Sequence, residues 1–296
     1  MRIAGWSCPP GQRVFHCEEK VMLSLLRRTL VIVAHPDDEA GGCGALLQRI
    51  HDPIVLFCTD GAPDDHWFWS SYQSRSAYAR TRRCEAVAAL QIAGIRSVRF
   101  VSEKYPACSD QRLFRVLPAA LHALVAAVHD YRPDALLTLA YEGGHPDHDS
   151  CSFLASIVGR RFGLPVWEMP LYHRLPSGQL ACQTFMAPNG TECVLHPSAE
   201  EASRKREMLA AYKSQPELPR FVVSTTEQFR RQPLYDYSQP PHVGMLNYEA
   251  WQWPMAGWQV SDAFVQCLRS LGKRWDPPLA PSKMEDHARS SAGGGA

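Results

Sequence analysis

An α/β fold built on a mostly parallel sheet is predicted by three observations on this 296-residue chain. Apolar, β-branched runs of strand length recur along it, helical patterns lie between them, and the first run ends at a cluster of glycines. The first run, 30–34 (Leu-Val-Ile-Val-Ala), reads as a buried parallel strand, and Gly41, Gly42 and Gly44 then let the chain turn closely into a helix over 44–51. The next run is 54–58. A helix follows over 77–93 with Gly94 as its C-cap, then a strand over 98–101 and a helix over 117–131 ended by Pro133. Strands over 135–140 and 166–172 complete the alternation. Right-handed crossovers place all the strand C-ends on one edge, so the reading is a Rossmann-like three-layer α/β/α arrangement.

From about residue 181 the pattern changes. A hairpin is predicted from 183–185 and 193–195, then a charged helix over 199–213, where Ser198 with Glu201 reads as a capping box. Beyond Gln215 the chain is rich in proline and aromatics, including Tyr235, Tyr237, Tyr248, Trp251 and Trp253, and reads as a C-terminal irregular cap. The predicted division is an N-terminal extension over 1–27, one main domain over 28–276 and a disordered Pro-, Ser- and Gly-rich tail over 277–296.

Composition narrows the partners. Lys plus Arg number 31 against 30 Asp plus Glu, a net charge of +1, so the basic stripe of a nucleic-acid binder is missing. No apolar run approaches the ~20 residues of a membrane helix, and the first residues lack a signal-peptide core. Ten cysteines without a CxxC pair read as reduced thiols, so a cytoplasmic location is expected. A homo-oligomer is compatible with all of this.

Chemistry concentrates at two strand ends. Ala34-His35-Pro36-Asp37-Asp38-Glu39 follows the first strand, and Tyr141-Glu142-Gly143-Gly144-His145-Pro146-Asp147-His148-Asp149 follows the fourth. Either His-Pro-Asp alone fits an ordinary turn. Two of them, each closing a buried strand beside glycine, point to one shared site at the strand C-ends. A catalytic zinc takes three N or O ligands and keeps a position for water, so two of His35, Asp37 and Asp38 with one of His145 and His148 would fill such a site.

With these motifs the chain resembles the PIG-L (LmbE-like) family of zinc-dependent N-acetylglucosamine deacetylases. Thr59-Asp60-Gly61-Ala62, Arg82-Arg83-Cys84-Glu85-Ala86 and Tyr212-Lys213-Ser214-Gln215 add to the resemblance, which covers about 28–215 and extends weakly through Pro240-Pro241-His242 and Tyr248-Glu249-Ala250-Trp251. The resemblance implies that His35, Asp38 and His148 bind one Zn2+ per chain, with Fe2+ or another divalent ion as the alternative. Asp37 is then the general base toward the zinc-activated water, and His145 as imidazolium stabilises the oxyanion or protonates the leaving amine, oriented by Asp147. The implied reaction removes an N-acetyl or N-acyl group from a small-molecule amino-sugar conjugate. One departure is Gly143, where some relatives carry a tyrosine proposed as oxyanion donor; Tyr141 is the candidate replacement.

Weaker substrate candidates are Arg75 and Arg80, in and after the long aromatic loop 61–80, and His242, fixed behind Pro240 and Pro241. Competing readings are zinc hydrolysis of a non-sugar amide and a non-catalytic sugar-binding protein. A nucleotide-binding module fails because no GxGxxG follows the first strand and carboxylates stand where a pyrophosphate needs free amides.

Overall fold

The computed structural model describes residues 6–7, 23–222 and 224–272. In chain order the elements are β1 (Trp6–Ser7), β2 (Arg28–Val33), α1 (Asp38–Leu47), β3 (Asp52–Phe57), α2 (Arg75–Ile92), β4 (Val98–Phe100) and the short α3 (Val101–Lys104). Then come α4 (Leu117–Tyr131), β5 (Ala135–Leu139), α5 (Pro146–Phe162), β6 (Val166–Met169), β7 (Tyr172–Arg174) and β8 (Leu180–Cys182). The last are β9 (Cys193–Leu195), α6 (Ala199–Ala211), β10 (Glu227–Arg231), the one-turn α7 (Asn247–Ala250) and α8 (Gly257–Leu271).

The central sheet has the order β1-β9-β10-β6-β5-β2-β3-β4, and its stretch from β6 to β4 is parallel. Every residue of β5, and of β2 after Arg28, is buried, as a parallel strand covered on both faces requires. Helices α1, α2 and α6 pack together, as do α4, α5 and α8, which gives the three layers. From β2 the chain winds to β3 and β4 on one side, then returns to β5 on the other. The winding therefore reverses between β2 and β5, and the crevice at their C-ends is where open α/β sheets bind ligands.

Several expectations need correction. Helix α1 begins at Asp38, so Gly41, Gly42 and Gly44 lie inside it and do not form a preceding turn. Their value is closeness of approach: a Cβ at Gly42 would stand 2.8 Å from Met169 Sδ, and one at Gly44 3.1 Å from Lys205 Cγ. The run 166–172 is two strands, β6 and β7, separated by Pro170, which has no N–H for a ladder. The predicted hairpin of 183–185 with 193–195 does not form. Instead β7 pairs with β8, while β9 pairs with β10 and β1.

The C-terminal cap is less irregular than its composition suggests, for β10 extends the sheet antiparallel to β6 and α8 runs for 15 residues. The capping box at Ser198 and Glu201 forms as expected. The tail 277–296 and most of the extension 1–27 lie outside the described residues. No described helix is long and apolar enough to cross a membrane, and Cys43, Cys58, Cys84, Cys108, Cys151, Cys182 and Cys267 are free thiols.

Candidate metal centre and active site

The turn from β2 into α1 is built by its own carboxylates. Asp38 Oδ2 accepts from the backbone N–H of Ala34 at 3.0 Å and of His35 at 2.7 Å, which ties the end of the strand to the start of the helix. The same oxygen lies 3.5 Å from His35 Nδ1, and Asp38 Oδ1 lies 3.2 Å from His148 Nε2. Burial opposes ionisation of Asp38, but His148 and His35 outweigh it and hold its pKa well below the usual carboxylate range.

Asp37, the residue between, has φ of 124°, in the region that favours glycine, a conformation that costs on the order of 1–3 kcal/mol and needs outside support. Glu39 Oε2 accepts from the Asp37 N–H at 3.1 Å, and Tyr212 donates its hydroxyl to Glu39 Oε1. Arg82, buried on α2, donates to Asp37 Oδ2 at 2.8 Å and to the Pro36 carbonyl at 2.5 Å. Burial pushes the Asp37 carboxyl up to about 7 although Arg82 pulls it back.

The second motif starts α5, with His145 at the N-cap and Pro146 at the first helical position. His145 Nδ1 accepts the N–H of Asp147 at 3.1 Å, so in the neutral ring the proton sits on Nε2, which lies 3.3 Å from Asp110 Oδ1. Burial, then the proximity of His35, lowers the His145 pKa to about 4. These two effects favour the neutral imidazole over the expected imidazolium. Asp147 orients this ring through its backbone and not its carboxylate. The carboxylate accepts from Gln111 N at 2.7 Å and Leu113 N at 3.0 Å, and Oδ2 lies 3.2 Å from His35 Nε2.

The residues fit a metal. His35, Asp38 and His148 converge from adjacent strand ends, and among the described residues neither ring nitrogen of buried His148 has a hydrogen-bond partner, Nε2 having only the Asp38 carboxylate at 3.2 Å. Such an orphaned pair is costly unless something absent from the protein itself takes a lone pair. Ligand atoms of His35, His145 and His148 all lie within 4.8 Å of one another, and so do those of His35, Asp110, His145 and Asp147. Two histidines and a carboxylate suit a divalent first-row ion.

These groups open into a cavity of about 980 Å³. His35, Asp37, Asp38 and His145 stand on one side, and Trp67, Phe68, Tyr72, Phe221, Trp251 and Trp253 supply aromatic walls. The aromatic loop is therefore part of the cavity, but the arginines near it are not. Arg75 is tied by Nη2 to both oxygens of Asp60, at 3.0 and 2.7 Å, and to the Ala62 carbonyl. Arg80 is exposed and outside the lining. Tyr141 donates to the Gln239 carbonyl at 2.7 Å and packs on Tyr235 and Tyr237, so it does not replace the missing tyrosine. His242 lines a separate, smaller cavity with Gln239, Leu246 and Glu249.

Three contributors escaped the sequence reading. Asp110 sits in a loop with no motif around it, Arg82 was visible only as part of a resembling segment, and Tyr172 lay within a run that read as plain strand. Tyr172 is buried beside His148, with ring centroids 5.3 Å apart. Burial, reinforced by the carboxylates of Asp38, Asp110 and Asp37, keeps its phenol protonated.

Residues 30–158 match the family model described as PIG-L: GlcNAc-PI de-N-acetylase. A probable N-acetyl-alpha-D-glucosaminyl L-malate deacetylase 2 of Bacillus cereus is 25% identical over 197 residues, covering 64% of this chain and 84% of that protein. A 1D-myo-inositol 2-acetamido-2-deoxy-alpha-D-glucopyranoside deacetylase of Rhodococcus erythropolis is 30% identical over 149 residues, 43% of this chain and 51% of that protein. Among solved structures, a triple mutant of a deacetylase of the teicoplanin biosynthetic pathway shares the fold with a TM-score of 0.54 at 19% identity, over 71% of this chain and 99% of that one. The match over residues 30–158, where both histidine motifs lie, makes this stretch similar to the PIG-L family.

Proposed function

We propose that the protein is a metal-dependent hydrolase that removes the N-acetyl group from an N-acetylglucosamine-containing conjugate, acting in the cytoplasm through a domain spanning about 28–276. The observation that carries this reading is the meeting of His35, Asp38 and His148 at the C-ends of adjacent strands, with Asp37 beside them on an open cavity. The names of both curated relatives describe deacetylases of glucosaminyl conjugates, which supports the substrate class.

His35, Asp38 and His148 would hold the ion, for which zinc is the first choice. When bound, it supplies Lewis-acid polarisation of the amide carbonyl and lowers the pKa of a nearby water. Asp37, poised at about 7, accepts the proton of the attacking water. Its strained backbone, fixed by Glu39, aims the carboxylate into the cavity and away from the ligand set. Arg82 favours the ionised form of that carboxylate and fixes its direction. Neutral His145, on the same cavity wall, carries its N–H at Nε2, which faces Asp110 Oδ1 at 3.3 Å. Trp251 and Trp253 present flat apolar faces suited to a sugar ring.

The test is metal content of the purified protein together with amine release from N-acetylglucosamine, N,N'-diacetylchitobiose and N-acetylglucosaminyl malate, with and without a chelator. About one zinc per chain and chelator-sensitive release are expected. Metal without release from any sugar, but with cleavage of a simple acyl amide, would replace the sugar by another amide. Absence of metal under conditions that preserve it would overturn the reading.

A further inference from the structure

The geometry points to Tyr172 as a further catalytic residue, its hydroxyl donating a hydrogen bond to the N-acetyl carbonyl oxygen as negative charge develops there. This inference rests on the deacetylase reading above.

The position that would otherwise supply a tyrosine is closed. Gly143 has φ of +70°, and a Cβ there would stand 2.7 Å from Leu246 Cδ2 and 3.1 Å from Pro241 Cγ. Tyr141 is spent on the Gln239 carbonyl. Tyr172, by contrast, lines the cavity together with His35, Asp38 and His145. Its ring has His148 at 5.3 Å, Phe221 at 5.0 Å and Trp251 at 6.0 Å around it. No described residue hydrogen-bonds its hydroxyl, and that oxygen is not among the fully buried polar atoms left without a partner, so it keeps some exposure on the cavity wall. A phenol donor on the wall of the reaction site that no protein group takes is free to donate to a ligand there.

The segment that lacks the tyrosine is the one that seats Tyr172. Glu142 Oε1 accepts the N–H of Leu171 at 2.8 Å and of Tyr172 at 3.1 Å. Gly144 lets the strand approach, since a Cβ there would fall 1.9 Å from the Tyr172 carbonyl oxygen. Residues 142–144 thus fix the start of β7 against the second motif, which sets the ring beside His148.

In the reaction, the water oxygen adds to the carbonyl carbon while Asp37 takes a water proton and the C=O pair moves to oxygen. Tyr172 hydrogen-bonds that oxygen without giving up its proton. The C–N bond then breaks, its pair stays on nitrogen, and the proton from Asp37 completes the amine, leaving acetic acid and the amino sugar. A donor that is stronger toward the oxyanion than toward the ground-state carbonyl speeds the step, and losing one such donor costs about 10²–10³ in rate.

The experiment is Tyr172→Phe, which keeps the ring and removes only the hydroxyl. Readouts are kcat and KM on whichever sugar of the panel the wild type cleaves best, metal content, melting temperature, and calorimetric Kd for the methylphosphonamidate analogue of N-acetylglucosamine, a tetrahedral anion. Expected are a kcat lower by about 10²-fold, with KM, metal content and melting temperature near wild type and the analogue bound more weakly by a similar factor. Full kcat and unchanged analogue affinity in Tyr172→Phe, with the wild type active, would strike this inference alone. A wild type that releases no amine from any sugar would overturn the parent reading and this one with it.

Discussion

Asp37 Oδ2 and Arg82 Nη2 stand 2.8 Å apart, so the carboxylate assigned to accept a proton is itself gripped by a buried cation. Burial raises the Asp37 pKa, Arg82 lowers it, and the balance falls at about 7. The base works only when ionised, so kcat/KM should fall about tenfold per pH unit below the midpoint. A divalent ion on the neighbouring donors adds positive charge and moves the midpoint below 7. Arg82→Met removes the guanidinium and should shift the acid limb upward. A pH–rate profile of the two proteins tests this, and an unmoved limb would separate Asp37 from the observed titration.

Asp37 touches Arg82 and Glu39, whereas Asp38 and His148 touch each other. Asp37→Asn should therefore keep about one metal per chain and lose at least 10²-fold in kcat, the scale of general-base catalysis. His148→Ala, removing a donor whose two ring nitrogens have no hydrogen-bond partner among the described residues, should lower the metal content itself. Elemental analysis beside kinetics separates the two. Full turnover in Asp37→Asn would sink the base assignment.

Gly144 offers a stability test away from the chemistry. Its missing Cβ leaves room for the Tyr172 carbonyl, a backbone atom that cannot swing aside. Gly144→Ala must push β7 from the second motif, and overpacking of this kind costs about 1–3 kcal/mol. Urea denaturation should show that loss, with kcat falling in parallel because Tyr172 is displaced. A stable and fully active variant would mean that β7 yields freely.

The paired motifs were legible because their chemistry is local: His35, Asp37 and Asp38 lie within four residues, and period and turn chemistry place both motifs at strand ends. Their meeting needed only the rule that sheets bind ligands where the winding reverses. What was not legible depends on long-range packing. Asp110 reaches His35 and His145, each at 3.3 Å, from a loop with no local signal. Arg75 looked like a free cation in sequence, but Asp60, 15 residues earlier, takes it. The glycines after His35 signalled a turn because flexibility is the commoner reason for glycine. Here the reason is contact with Met169 and Lys205, far along the chain.

That contact has its own consequence for α1. Cys43, at φ −143° and ψ 23°, breaks the helix, so the Gly41 carbonyl and the Ala45 N–H no longer serve each other. The Gly41 carbonyl accepts from Lys205 Nζ at 2.9 Å and Gln183 Nε2 at 3.1 Å instead. The N–H groups of Ala45 and Leu46 donate to Glu227 at 2.7 and 2.9 Å, and Lys205 balances the charge of Glu227 at 2.7 Å. All of these groups are buried, so Glu227→Ala would strand one ammonium and two amides at once. Breaking a buried pair in this way costs about 3–5 kcal/mol. Replacing both partners, in Glu227→Gln with Lys205→Met, removes the stranded charge and should cost less than the two single losses added together. Denaturant titration of the singles and the double measures the coupling. Strictly additive losses would show that Lys205 and Glu227 stabilise α1 independently, and that the bent helix which carries Asp38 needs only the amide caps.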